Sequence, residues 1–285
     1  MAILIGEGGS SKVDWILINP FGGEMARFTT DGINPYYQQT IQIQGLLKEQ
    51  LVPALLEYTR QIEEVYYYGA GCSGSRNRRS IVEALQKAVG KVDLVEVYDD
   101  LLGAARATLG REAGIVTILG TGQNSGEYDG NRITDQIPPL GFALGDAGSG
   151  ASIGRKVIQA YFYREMPEDL KDAFTEEYEP RREELLAKVY GGTDGNRYVG
   201  RYARFAGQHS SHPFIKDLLH NEFSEMIERH LLKYDSNHSS QIAMVGSVSY
   251  YFKEQIVAAL SSYGLKPGTI LEKPIDGLIK YHGRS

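Results

Sequence analysis

Apolar positions along the chain change period several times, and the changes mark the elements. AILIG (Ala2 to Gly6) and VDWILIN (Val13 to Asn19) are short apolar runs separated by the turn EGGSSK, and they predict two strands. EMARFTT, after the turn PFGG, predicts a third strand and therefore an antiparallel meander. From Tyr37 to Arg60 the positions Ile41, Leu46, Leu47, Leu51 and Leu55 follow helical spacing, which predicts one long helix. EEVYYYGAG (Glu63 to Gly71) reads as a buried strand entering a loop, SIVEALQKAV as a helix, LVEVYDD as a strand and LLGAARATLG as a helix.

The order then restarts. GIVTILGTG (Gly114 to Gly122) predicts a strand with a glycine turn, and NSGEYDGNRI a hairpin around Asp129-Gly130. Helices are expected over Ser149 to Tyr163, Glu168 to Glu177, Arg181 to Val189 and Phe214 to Tyr234. QIAMVGSVS predicts a buried strand turning into a helix (Tyr250 to Ser262), followed by a short strand near Ile270 and a last helix, Ile275 to His282. Two units that each open with strand, glycine turn and strand predict two related α/β domains facing a cleft. Their expected limits are residues 1–110, completed by the last helix (275–285), and 111–274, with a helical insertion over about 166–237.

Composition agrees with this organisation. A chain of 285 residues is long enough for two domains with cores of their own. Glycine numbers 33, against roughly 20 at average usage. Ten of them lie between Gly114 and Gly154, among Val, Ile and Leu, so the excess is not a disordered tract. A net charge of −6 argues against a nucleic-acid or anionic-membrane surface. No apolar stretch reaches 18 residues, and MAILIGEGG has no basic region ahead of its apolar run, so neither a span nor a signal peptide is expected. Cys72 is the single cysteine, which excludes an intrachain disulfide and any multi-cysteine metal site. A cytoplasmic protein is the expectation.

The glycine turns carry the chemistry. A backbone amide reaches a phosphate oxygen where no side chain intervenes, and GEGGSSK and GTGQNSG both follow strands with hydroxyls beside the glycines. Neither is GxxxxGK[ST] or a GxGxxG that opens a helix, so neither a P-loop nor a dinucleotide fold is indicated. Two such turns, one opening each unit, point to a nucleotide's phosphates held between two hairpins. A third, VGSVS, would receive an adenosine.

In that order, LIGEGGSSKVDW, ILGTGQNSG, LGDAGSGASIG and MVGSVSYYF resemble the phosphate and adenosine motifs of the actin, Hsp70 and sugar-kinase superfold. In detail they are similar to the N-acetylglucosamine kinase group, which includes the BadF/BadG/BcrA/BcrD-type ATPases. The resemblance runs from Ile3 to His282 and implies two RNase H-like (actin-like ATPase) domains around a nucleotide cleft. It implies ATP and Mg²⁺ as cofactors and an amino sugar, N-acetylglucosamine first, as the small-molecule substrate phosphorylated at its 6-hydroxyl. A homodimer is a further candidate assembly.

By position, the resemblance places Glu7 at the Mg²⁺ site through water. Gly8, Gly9, Ser10, Ser11 and Lys12 stand by the β- and γ-phosphates. Gly120, Thr121 and Gly122 match the second phosphate turn, and Gly246 and Ser247 the adenosine turn. Asp100 matches the catalytic base, and Asn34, Gly145 and Asp146 the sugar-binding positions. Glu7 replaces the family's usual Asp, Ala147 stands where relatives often carry Glu, and Gln123 where they often carry Ser.

Other readings of the same residues remain open. Asp99 and Asp100 could cap the following helix, Asp146 could cap the helix after GSG, Asn34 could be a turn residue and Lys12 a solvated charge. Cys72 reads as a small buried side chain, and His209 and His212 as loop residues with no third metal ligand at recognisable spacing. Glu7 and Ala147 motivate a non-catalytic sugar or nucleotide sensor of the same fold. An activator ATPase of a radical dehydratase is disfavoured by the single cysteine.

Overall fold

The structure, a computed structural model, describes residues 1–192 and 194–283. In the first unit β1 (Ala2–Gly8), β2 (Lys12–Ile18) and β3 (Glu24–Asp31) form an antiparallel meander. β4 (Ile62–Gly69) and β5 (Leu94–Asp99) add in parallel on the other side of β1, giving the order β3-β2-β1-β4-β5. Apolar side chains occupy both faces of the central strands, so these read as continuous apolar runs. Leu4, Val13, Trp15 and Leu17 pack with Ile43 of α1 (Thr40–Leu46) and with Ile81 and Leu85 of α3 (Ser75–Val89). Ile3, Ile5, Ile16 and Ile18 pack with Ile275 and Leu278 of the last helix, Ile275–His282. Trp15 is fully buried, and its indole N–H donates to Thr30 Oγ1 at 3.0 Å. Its ring lies where a side chain at Gly6 would stand, so that position needs glycine. Residues 1–112, 130–132 and 273–283 cluster as this unit.

The second unit, 113–129 and 133–272, repeats the scheme. β6 (Gly114–Leu119), β7 (Gln123–Tyr128) and β8 (Ile133–Asp135) form the meander. β9 (Gln241–Val245) and β10 (Lys266–Leu271) add in parallel, so the order is β10-β9-β6-β7-β8. The connectivity matches that of the first sheet strand for strand, as the restart of the sequence pattern predicts. Its core joins β6 and β9 to α5 (Gly150–Phe162), α6 (Glu168–Tyr178) and α10 (Pro213–Arg229) through Ile115, Met244, Ile153, Phe174 and Phe223.

The helix readings are corrected at four places. The long helix expected from Tyr37 to Arg60 starts at Thr40, widens into a π-helical turn over Leu47–Leu51 and resumes as α2 (Val52–Leu55). Pro53 has no N–H for the carbonyl four residues back, and the wide turn stands just before it. The helix expected over Phe214 to Tyr234 ends at Arg229, and Leu231–Lys233 is a 3₁₀ turn. α7 (Arg182–Tyr190) is followed by two helices the pattern did not announce, α8 (Gly195–Gly200) and α9 (Ala203–Gln208). Glycines at 195, 200 and 207 lower their helix propensity, but Val199, Ala203, Phe205 and Ala206 are buried, so packing sets the conformation. The predicted strand-to-helix passage after β9 divides into α11 (Ser247–Tyr251) and α12 (Lys253–Ser262). Among the described residues no helix is long and apolar enough to cross a membrane.

Candidate functional site

In the first unit the turn between β1 and β2 is tied to two other segments. The Gly9 amide donates to the Lys12 carbonyl at 3.1 Å, closing the turn. The Ile33 amide donates to the Gly9 carbonyl and the Ala70 amide to the Gly8 carbonyl, both at 3.1 Å. Asn34 Nδ2 donates to Ser10 Oγ at 2.7 Å, while Asn34 Oδ1 accepts the Tyr36 amide at 3.0 Å. Asn34 is thus a turn residue that also reaches the first glycine turn. Ser10, Ser11 and Lys12 are exposed.

Register sets Glu7 opposite Asp14 on neighbouring strands. Asp14 is held by Lys12 at 3.1 Å and Lys273 at 3.3 Å, and it accepts from Thr29 Oγ1 at 3.2 Å. Burial alone would raise the Asp14 carboxyl, but its hydrogen bonds and the two ammonium charges bring it below the ordinary value. Glu7 goes the other way. Burial, then the negative charges of Asp100 and Asp14, push it to about 8, with Lys12 and Lys273 opposing. Lys12 is therefore an ion-pair member rather than a free hairpin charge.

The two acids after β5 divide their work. Asp99 is the N-cap of α4 (Asp100–Leu109), its Oδ1 accepting the Leu102 amide at 2.8 Å. Asp100 accepts the adjacent Leu101 amide at 2.9 Å, and its own amide also favours the charged form. Burial and then the charge of Asp99 raise Asp100 to about 6. Tyr67, fully buried, feels the charges of both Glu7 and Asp100, and its hydroxyl has no partner among the described residues. Cys72 is buried, and burial pushes its thiol up to about 12, so it is no ready nucleophile. Asp14 and Lys273 escaped sequence reasoning, and Tyr67 reads there as strand packing, not as a neighbour of the acids. The only signal was the alternation KVD, which places Asp14 on a strand two residues after Lys12.

In the second unit the turn after β6 meets the start of α5. The Gly120 amide donates to the Gly122 carbonyl at 3.0 Å; the Gly150 and Ala151 amides donate to the Gly120 and Thr121 carbonyls at 2.8 and 3.0 Å. Gly246 follows β9 with φ 122°, and a side chain there would collide with the Leu119 carbonyl. A bare backbone lets the two strands' ends lie side by side. Gly120, Thr121, Gly150, Ser247 and Tyr251 line a cavity of about 740 Å³, closed by Gly200, Arg204 and Gln208 of the two unannounced helices. Its size suits a nucleoside.

Asp146 adopts φ 61°, a conformation that favours glycine, and its carboxylate stands against Gly122. Burial raises its pKa, opposed by the Gln123 amide and by Arg155. Capping of α5 falls to Ser149, whose Oγ accepts the Ser152 amide at 3.2 Å, which corrects the reading of Asp146 as the cap. Ala147 is buried in the core, and Glu222, also buried, accepts the Gly148 amide at 3.3 Å. Gly145 closes a turn on the Gly141 carbonyl at 2.8 Å. His209 is the C-cap of α9, and His212 caps α10, accepting the Phe214 amide at 3.1 Å. Among the described residues no group of three His, Cys, Asp or Glu is placed to hold a metal alone.

No family model and no curated protein matches the chain. Solved structures do. The chain is 38% identical to a protein assigned as an N-acetylglucosamine kinase from Porphyromonas gingivalis, over 99% of this chain and 98% of that one, with a TM-score of 0.94. The chain belongs to the N-acetylglucosamine kinase family. A protein of the same assignment from Chromobacterium violaceum superposes with a TM-score of 0.74 at 16% identity, covering 99% and 98% of the two chains. A ROK-family glucokinase from Streptomyces griseus, solved with glucose and AMPPNP, gives 0.58 at 15%, covering 99% and 98%. Those two likenesses are to the fold, which this N-acetylglucosamine kinase family member shares with actin-like sugar kinases.

Proposed function

We propose that the protein transfers the γ-phosphoryl group of ATP to the 6-hydroxyl of N-acetylglucosamine. The observation that carries this reading is that Asp100 is not the helix cap. Asp99 has taken the capping role, and Asp100 is left as a carboxylate whose pKa, about 6, suits a general base working near neutral pH. In the transfer, Asp100 accepts the hydroxyl proton as the sugar oxygen bonds to the γ-phosphorus, and the bond to the leaving ADP breaks. The turns at Gly8 to Ser11 and Gly120 to Gly122, apart from the Gly9 and Gly120 amides that close them, bind and orient phosphates, and the cavity beside Ser247 and Tyr251 takes the adenosine. Asn34 and Asp146 are assigned to the sugar.

The acidic group also fits a divalent cation. Mg²⁺ is held through one or two carboxylates together with waters and substrate phosphates, so it does not need a complete protein cage. Glu7 and Asp14 would hold it, and a cation there relieves the like charges that raise Glu7. When bound, the ion neutralises phosphate charge. An assay of ADP formation across N-acetylglucosamine, glucosamine, N-acetylmannosamine and glucose, with Mg²⁺ or Mn²⁺, tests the proposal. Stimulation by the N-acetylated sugars supports it, and turnover no higher than without sugar removes it.

A further inference from the structure

We propose that a second cavity in the second unit, where α5 passes the end of α10, binds the phosphate group of a sugar phosphate. Its volume is about 400 Å³, and it lies under the loop that carries Gly145 and Ala147. Three cations line it, Arg155, Lys156 and Arg229, against one carboxylate, Glu225. That local excess stands in a chain whose net charge is −6.

One ion pair, Arg229 with Glu225, forms among these charges, and it leaves Arg155 and Lys156 over. Among the described residues Arg155 bonds only neutral oxygens, the Phe142 carbonyl at 2.7 Å and Ser152 Oγ at 3.3 Å. Lys156 is exposed and has no partner among the described residues. Glu225 is engaged through Arg229 Nε at 2.7 Å, which leaves the terminal nitrogens of that guanidinium. His230, 8% exposed, also lines the cavity, and its Nδ1 has no hydrogen-bond partner among the described residues. A solvated helix face would show the cations but neither the cavity nor a buried imidazole left unpaired. Guanidinium and ammonium groups around a concave polar site match a phosphate dianion. Leu144, 79% exposed, lines the same cavity and offers the carbon skeleton an apolar surface, which favours an ester over free phosphate.

The site also bears on Asp146, since Arg155 is the cation that lowers that carboxyl. An anion held by Arg155 would weaken this effect, so occupancy would be felt one residue from Gly145 and Ala147.

The test is calorimetric titration, without nucleotide, of the whole protein with N-acetylglucosamine 6-phosphate, inorganic phosphate, sulfate and N-acetylglucosamine. The sugar phosphate is expected to bind the wild type more tightly than free phosphate or sulfate. Lys156→Glu and Arg229→Ala should each weaken it by about tenfold or more, with ADP affinity unchanged. Both positions are exposed, so the variants should keep the wild-type circular dichroism. Absence of binding overturns the site, as does binding that neither variant weakens, which would put the ligand on the phosphate turns. Free phosphate binding as tightly as the ester overturns the ester assignment. Because no ATP or turnover is involved, this outcome is independent of whether the kinase proposal holds.

Discussion

Replacing Asp100 by Asn should move activity and stability in opposite directions. The native carboxyl is raised from 3.8 to about 6, a little over two units, or about 3 kcal/mol at 1.36 kcal/mol per unit. Below the unfolded value both states carry the proton and nothing is lost. As pH rises from about 4 to 6 the unfolded chain ionises first, and above 6 the folded protein bears the full cost of a buried charge. Asn removes that charge while its Oδ1 can still accept the Leu101 amide, now 2.9 Å from the carboxylate. At pH 7 the variant should therefore gain up to about 3 kcal/mol, and the gain should vanish near pH 4. Loss of a general base should lower kcat by about 10²–10⁴. In the wild type, with Mg²⁺ and ATP saturating, kcat/KM for the sugar should rise tenfold per pH unit up to about 6 and then level. Urea unfolding at pH 4 and 7, set beside ADP formation, reads both effects. A variant that keeps more than about a tenth of wild-type turnover, or is less stable at pH 7, would refute the base assignment.

Other outcomes follow from the same geometry. Glu7, at about 8, is roughly nine-tenths protonated at pH 7, so binding Mg²⁺ with a nucleotide should release close to one proton. Calorimetry in buffers of different ionisation enthalpy measures this, affinity should rise with pH towards about 8, and zero release would remove Glu7 from the metal site. Gly246→Ala, at φ 122° and against the Leu119 carbonyl, should cost about 1–3 kcal/mol in urea unfolding and weaken ADP binding; a neutral result would contradict the close approach. Gly200→Leu should fill the 740 Å³ cavity, weakening ADP by about tenfold or more with little effect on stability. Unchanged ADP affinity would place the nucleoside elsewhere.

Much of the fold was legible because both sheets obey simple rules. Apolar runs buried on two faces predict β1, β2 and β6, and glycine turns between them predict the hairpins and their repetition. Helix ends were less legible. Pro53 altered the path of the first helix, and α8 and α9 owe their conformation to the burial of Val199 and Phe205 rather than to local preference. The site divides along the same line. Turns such as Gly120 to Gly122 are visible because glycines directly after an apolar strand run are a local signal in the sequence itself. Asp14, Lys273 and Tyr67 are not, because what gathers them is strand register and tertiary packing, with no spacing to read. Asp99 and Asp100 show why a motif alone leaves roles open: one hydrogen bond from the Leu102 amide separates the cap from the free carboxylate.

The central claim is that Asp100 and the glycine turns serve transfer to an amino sugar. The most direct measurement follows N-acetylglucosamine and ATP with the purified protein and Mg²⁺, identifying products by phosphorus NMR. One phosphate monoester at the sugar 6-position for each ADP formed is the expected result. ADP accompanied only by inorganic phosphate, or no ADP from a protein that still binds both ligands, would contradict it.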